Sequence, residues 1–126
     1  WNRTKNIMGK GNVPIGLKEA IATRVSKANR CHFCLAIHKK NLEKHGFSPQ
    51  EIRGIEKGNI KDKKVRFVLS FVTTATKNPH KLTQADFNKM RRFGYSEADI
   101  VEILTVMEMY TGYNKIIVAL GLKLDD

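Results

Sequence analysis

Residues 16–45 read GLKEAIATRVSKANRCHFCLAIHKKNLEKH, two helical patterns set end to end. In the first, Leu17, Ile21, Val25 and Ala28 recur at the spacing of one helix face, which predicts a helix over Gly16–Arg30. The second predicts a helix from Cys31 or His32 to His45. Gly46 stops it, because glycine enters the left-handed cap conformation without a Cβ penalty. With the chain turning near Asn29-Arg30, the two helices form an antiparallel hairpin.

Outward from this hairpin the chain keeps its helical periods. Ser48, Pro49 and Glu51 open a short helix to Lys57, with Ser48 as N-cap and Glu51 completing a capping box. Asp62–Thr76 follows as a helix apolar on nearly every side, through Val65, Phe67, Val68, Leu69, Phe71, Val72 and Ala75. Asn78-Pro79 ends it. Thr83 with Asp86 starts a fifth helix that halts before Gly94, and the last helix runs from Ser96 to Leu120, with Gly112 its weak point. Gly46-Phe47-Ser48 and Gly94-Tyr95-Ser96 echo one another at an offset of 48 residues, each a stop, an aromatic and a fresh cap. Residues 1–15 show no sustained period and read as an irregular N-terminal arm. The expectation is a single all-α domain over 1–126 of about six helices, with the C-x-x-C at the start of the second helix.

Composition agrees with a globular chain: 126 residues, 41% hydrophobic and 28% charged. No run reaches the length of a transmembrane span, and no secretory leader is visible from Trp1 onward, so a cytoplasmic protein without membrane contact is expected. Net charge is +11, and residues 1–63 carry 14 Lys/Arg against 5 Asp/Glu. The basic residues are spread along helix faces without interleaved aromatics, which suits solubility better than nucleic-acid binding. Two nearly all-apolar helices predict a homo-oligomer whose interfaces use Asp62–Thr76 and the final helix.

The chemistry concentrates in Cys31-His32-Phe33-Cys34-Leu35-Ala36-Ile37-His38. On a helix, Cys31, Cys34 and His38 fall within roughly a 60° sector. Cys31 lies at the helix start, where unpaired N–H groups and the macrodipole favour a thiolate. His38, four residues beyond Cys34, is placed to hydrogen-bond that sulfur. Glu19 points away from its own apolar stripe, on a face with the small residues Ala22 and Ser26. In the hairpin it lies about 16 Å up one limb and His38 about 12 Å up the other, a gap that a Glu side chain spans. A carboxylate on the imidazole fixes its tautomer and raises its basicity, so that His38 could take the proton Cys34 sheds.

Glu19, eleven residues, Cys31, two residues, Cys34, three residues, His38 resembles the redox and proton-relay signature of AhpD-like alkyl hydroperoxidases in the carboxymuconolactone decarboxylase superfamily. The helical layout from Ile15 to Leu122 is similar as well. This resemblance implies an all-α fold assembled into trimers or hexamers. It also implies a thiol peroxidase that reduces hydroperoxides, uses no cofactor, and is re-reduced by a dithiol such as a lipoylated protein. Cys34 would attack the peroxide and become a sulfenic acid, Cys31 would condense with it to a disulfide, and Glu19 and His38 would relay the proton. One position departs from the pattern: Phe33 stands where the best-known members carry a His directly before the second Cys. Decarboxylation is not expected, because the superfamily's decarboxylases lack the cysteine pair.

Two other readings use the same residues or charges. Cys31, Cys34, His38 and Glu19 have the donor types of a four-coordinate zinc site, although three ligands on consecutive turns of one helix enclose an ion poorly. A basic nucleic-acid-binding protein is the other. His32 reads as a surface residue beside the site, His45 and His80 as helix-end residues, and Met107 and Met109 as core or interface filler.

Overall fold

A computed structural model describes residues 2–123 of the chain. Among these are seven α-helices and no strand: α1 (Asn2–Gly9), α2 (Ile15–Ala28), α3 (His32–Lys44), α4 (Pro49–Lys57), α5 (Lys63–Lys77), α6 (Gln84–Arg92) and α7 (Glu97–Leu120). A 3-10 turn at Pro79–Lys81 joins α5 to α6.

The local signals act where the sequence places them. Ser48 with Glu51, Thr83 with Asp86 and Ser96 with Asp99 each form a reciprocal capping box, at α4, α6 and α7. Each side chain satisfies a backbone N–H that the helix start leaves orphaned. Gly46 and Gly94 take φ values of +89° and +97° where α3 and α6 stop. Helix α7 runs through Gly112 without interruption.

The arm is not irregular: α1 occupies most of residues 1–15, so the cysteine-bearing helix is third in chain order. A helix this short is marginal by itself, and tertiary contacts hold it. Thr4 Oγ1 meets the Tyr113 hydroxyl at 2.7 Å, and Arg3 pairs with Glu108. Lys18 of α2 donates from Nζ to the carbonyls of Ile7 (2.5 Å) and Lys10 (2.6 Å), closing the C-terminal end of α1. The same ammonium, 1% exposed, pairs with Glu102 of α7 at 2.8 Å. Glu102 also accepts from the backbone N–H groups of Asn12 and Val13. Burial alone would raise this carboxyl, but the Lys18 ammonium and the two N–H donors outweigh it and hold Glu102 below the usual carboxylate range. The carboxylate fills the space beside Gly11, where φ is +97° and a Cβ would collide with it. One buried cation thus fixes α1, the following loop and α7 together.

Helix α2 is the axis of the fold, packed against α3, α5 and α7. Ile21, Ala22, Thr23, Val25 and Ser26 are fully enclosed, so α2 is the helix covered on all sides. That position was expected of α5, but α5 shows two faces: Val68, Leu69, Phe71, Val72 and Ala75 are buried, whereas Lys63, Lys64, Arg66, Ser70 and Lys77 face outward. Its apolar residues are covered by its own chain, so α5 leaves no large exposed apolar face for a partner. Large exposed apolar side chains fall mainly on α7 and just beyond it, at Val101, Ile116, Val118, Leu120 and Leu122.

Candidate active site

The turn between α2 and α3 presents the cysteines. The Cys31 N–H donates to the Ser26 carbonyl (2.9 Å) and the Arg30 N–H to the Lys27 carbonyl (3.1 Å), the two main-chain bonds of a Schellman motif. Arg30 takes the left-handed position usually given to glycine, at φ +57°. Holding a side chain there costs about 1 kcal/mol. Arg30→Gly is therefore expected to raise unfolding stability by about 1 kcal/mol, read as a higher midpoint in chemical denaturation, with the fold unchanged.

A buried polar clasp fastens this turn to α7. Asn114, fully enclosed, donates from Nδ2 to Ser26 Oγ (3.1 Å) and accepts from Asn29 Nδ2 on Oδ1 (3.0 Å). Asn29 Nδ2 also reaches Thr111 Oγ1 at 3.3 Å. Both polar ends of Asn114 are satisfied, the condition under which a buried amide stabilises a unique arrangement.

Cys31 is the N-cap of α3 and Cys34 lies in its first turn. The two are joined as a disulfide, with the Cys34 N–H donating to Cys31 Sγ at 3.3 Å. Both cysteines are buried, at 2% and 4% exposure. One turn further on, His38 faces α2, and its Nδ1 meets Glu19 Oε2 at 3.0 Å. Both of these side chains are more than nine-tenths buried. A carboxylate only accepts, so Nδ1 donates, and Nε2 is the ring nitrogen left to exchange protons. In this disulfide state the hydrogen bond of His38 runs to Glu19 and not to Cys34.

The four residues singled out in the sequence thus lie on the two limbs of one hairpin, and Glu19 makes the contact with His38 that the hairpin requires. Two further residues complete the surroundings. Asn41 Nδ2 stands 3.4 Å from each Glu19 oxygen. The Tyr110 ring of α7 packs edge-on against the His38 imidazole, with centroids 4.6 Å apart. Burial first, and then the negative charge of Glu19, push the Tyr110 phenol far above its ordinary range, so it stays a neutral hydroxyl. Asn41 had a sequence signal, since it is three residues from His38 on the same helix face. Tyr110 had none, because an aromatic in an apolar stripe reads as core.

A groove of about 980 Å³ opens next to the site. Its outer walls come from α1 and the following loop, and its inner wall includes Glu19, Asn41 and Tyr110. Neither cysteine lines it. His32 is exposed beside the cysteines, and His45 and His80 are exposed at helix ends. Met109 is fully enclosed and Met107 half-buried. Among the described residues, no group of three or more His, Cys, Asp or Glu side chains is arranged to hold a metal ion. Nor is any helix there long and apolar enough to cross a membrane.

Comparison with known proteins matches residues 1–58 to the carboxymuconolactone decarboxylase family. That segment contains all four residues of the site. Over 107 residues the chain is 26% identical to YdfG, an uncharacterised Bacillus subtilis (strain 168) protein, covering 82% of this chain and 73% of that one. A peroxidase-related protein from Silicibacter sp. TM1040 superposes with a TM-score of 0.91 at 23% identity, covering 98% of this chain and 67% of that one. A peroxidase-related protein with an alkylhydroperoxidase AhpD core, from Ralstonia eutropha JMP134, gives 0.89 at 23% identity, covering 99% and 68%. The structural likenesses show a shared fold. Its first 58 residues are thus similar to the carboxymuconolactone decarboxylase family, and its helices superpose throughout on structures with an AhpD core, so the chain shares their all-α fold.

Proposed function

We propose that the protein is a thiol-dependent peroxidase that reduces hydroperoxides through Cys31 and Cys34, with Glu19 and His38 moving the proton. The observation that supports this most is the buried 3.0 Å contact between Glu19 and His38, one turn beyond a cysteine pair at a helix start. An ion pair sealed this far from water stabilises a fold poorly compared with apolar packing, whereas it suits a proton relay.

The reaction balances without a cofactor. The Cys34 thiol gives its proton to His38 Nε2, and the thiolate attacks a peroxide oxygen. The S–O bond forms as the O–O bond breaks, and the departing alkoxide takes the proton from His38 to leave as an alcohol. The Cys31 thiol then attacks the sulfenic sulfur, forming the disulfide and releasing water. A dithiol of low molecular mass or on a lipoylated protein returns both sulfurs to thiols by exchange. Such a cycle fits a reducing cytoplasm. Phe33 beside Cys34 leaves the relay with His38 as its imidazole. The exposed apolar residues of α7 are the surface available to a homo-oligomer.

A thiol count tests the reading. Stoichiometric hydroperoxide should remove two thiols per chain, and added dithiol should restore both. Loss of no thiols, or loss that dithiol cannot reverse, would overturn the proposal.

A further inference from the structure

The geometry points to the groove beneath the N-terminal arm as the port through which protons pass between water and the Glu19–His38 pair. The inference rests on the peroxidase reading for its purpose, but not for its measurement.

The need for such a port arises in the reducing half of the cycle. A dithiol attacks a disulfide as its thiolate, so its protons are released to water. Two S–H groups must nevertheless form on Cys31 and Cys34, and the protons must return from water. Cys34 is buried, and the buried proton-carrying group one turn further along its helix is His38. From His38 a continuous polar path leads away from the sulfurs: Nδ1 to Glu19 Oε2 at 3.0 Å, then from both Glu19 oxygens to Asn41 Nδ2 at 3.4 Å. Glu19 and Asn41, with Tyr110, form the inner wall of the groove, whereas neither cysteine reaches it. A peroxide lodged there would face a carboxylate and not a sulfur. Tyr110 shares this wall with Glu19, and a phenol hydroxyl is a group on which water orders. The arm that forms the outer wall is held at a fixed height by Lys18 and Glu102.

The groove can be plugged without disturbing the site. Gly9 lines it, ends α1, and has no heavy atom within 4 Å of an added Cβ. A larger residue there also favours helix. Lys5, exposed on the same wall, gives a second plug. The measurement is the solvent-exchange rate of the His38 imidazole N–H, by NMR on ¹⁵N-histidine-labelled protein in the disulfide form, with neither peroxide nor reductant present. Gly9→Phe and Lys5→Trp should each slow it by about tenfold or more, since exchange would then require a local opening. Asn6→Phe, exposed on α1 outside the groove, should leave it unchanged. Equal rates in all four proteins, or a signal broadened away in all of them, would overturn the port. Because the experiment needs no turnover, it can fail while the thiol count succeeds, or the reverse.

Discussion

Cys34→Ser should abolish peroxide consumption, a loss of about a thousand-fold or more, while Cys31→Ser should consume one equivalent and stop as a sulfenic acid. Removing an attacking nucleophile costs close to the whole of catalysis, because no neighbour can form the same bond. Losing the second sulfur leaves the first step intact and blocks only its resolution. The assignment follows from position. Cys34 is in the first turn of α3, on the helical stripe of His38 and one turn before it, while Cys31 caps the helix start. A sulfenic-acid trapping reagent with mass detection distinguishes the variants. If the label accumulates in Cys34→Ser instead, the two roles are reversed, and if both variants turn over fully, neither cysteine acts as proposed. His38→Ala should slow the first step by about a hundred-fold or more, the usual worth of a positioned acid–base group.

Lys18→Met should destabilise the protein by about 3 kcal/mol, lowering the thermal midpoint by about 10 °C. Met has nearly the same length, so packing survives while the charge is lost. Glu102 then loses its partner, and the carbonyls of Ile7 and Lys10 lose their donor. Calorimetry at neutral pH measures the effect, and a change below about 0.5 kcal/mol, the range of an ordinary surface substitution, would refute it. The wild-type protein should show the same dependence on pH. Glu102 is held below its ordinary value in the folded state. Its contribution is therefore present above the unfolded carboxylate range and is lost as pH falls through the folded value. In the Lys18→Met variant that acid-induced loss should be smaller.

Much of this arrangement is legible in the residues because its causes are local. Each capping box needs two side chains three positions apart, and Ser48, Thr83 and Ser96 announce theirs. The cysteine pair and His38 share one helix, so their common face follows from 100° per residue. Glu19 required an extra step, because its own helix does not explain it. Only with an antiparallel neighbour does a polar residue beside Ala22 and Ser26 acquire a partner. What stayed hidden depends on distant contacts. Helix α1 has little pattern of its own, and its anchor, Lys18, looks in sequence like any surface lysine. Helix α2 carries one visible apolar stripe, yet buries Thr23 and Ser26 as well, because α3, α5 and α7 surround it. Seven apolar residues in α5 suggested cover on every side, although lysines and an arginine mark its outer face. Tyr110 and Asn114 come from the far end of the chain, and no short-range rule connects them to a motif more than seventy residues earlier.

The clasp of Asn114, Ser26 and Asn29, together with the main-chain bonds around Arg30, bears on what holds the turn once the bond between its sulfurs is open. The loop that carries the sulfurs is pinned independently of the bond between them. Opening that bond can therefore leave the main chain of the turn in place. A turn held this way depends little for its shape on the bond between its sulfurs.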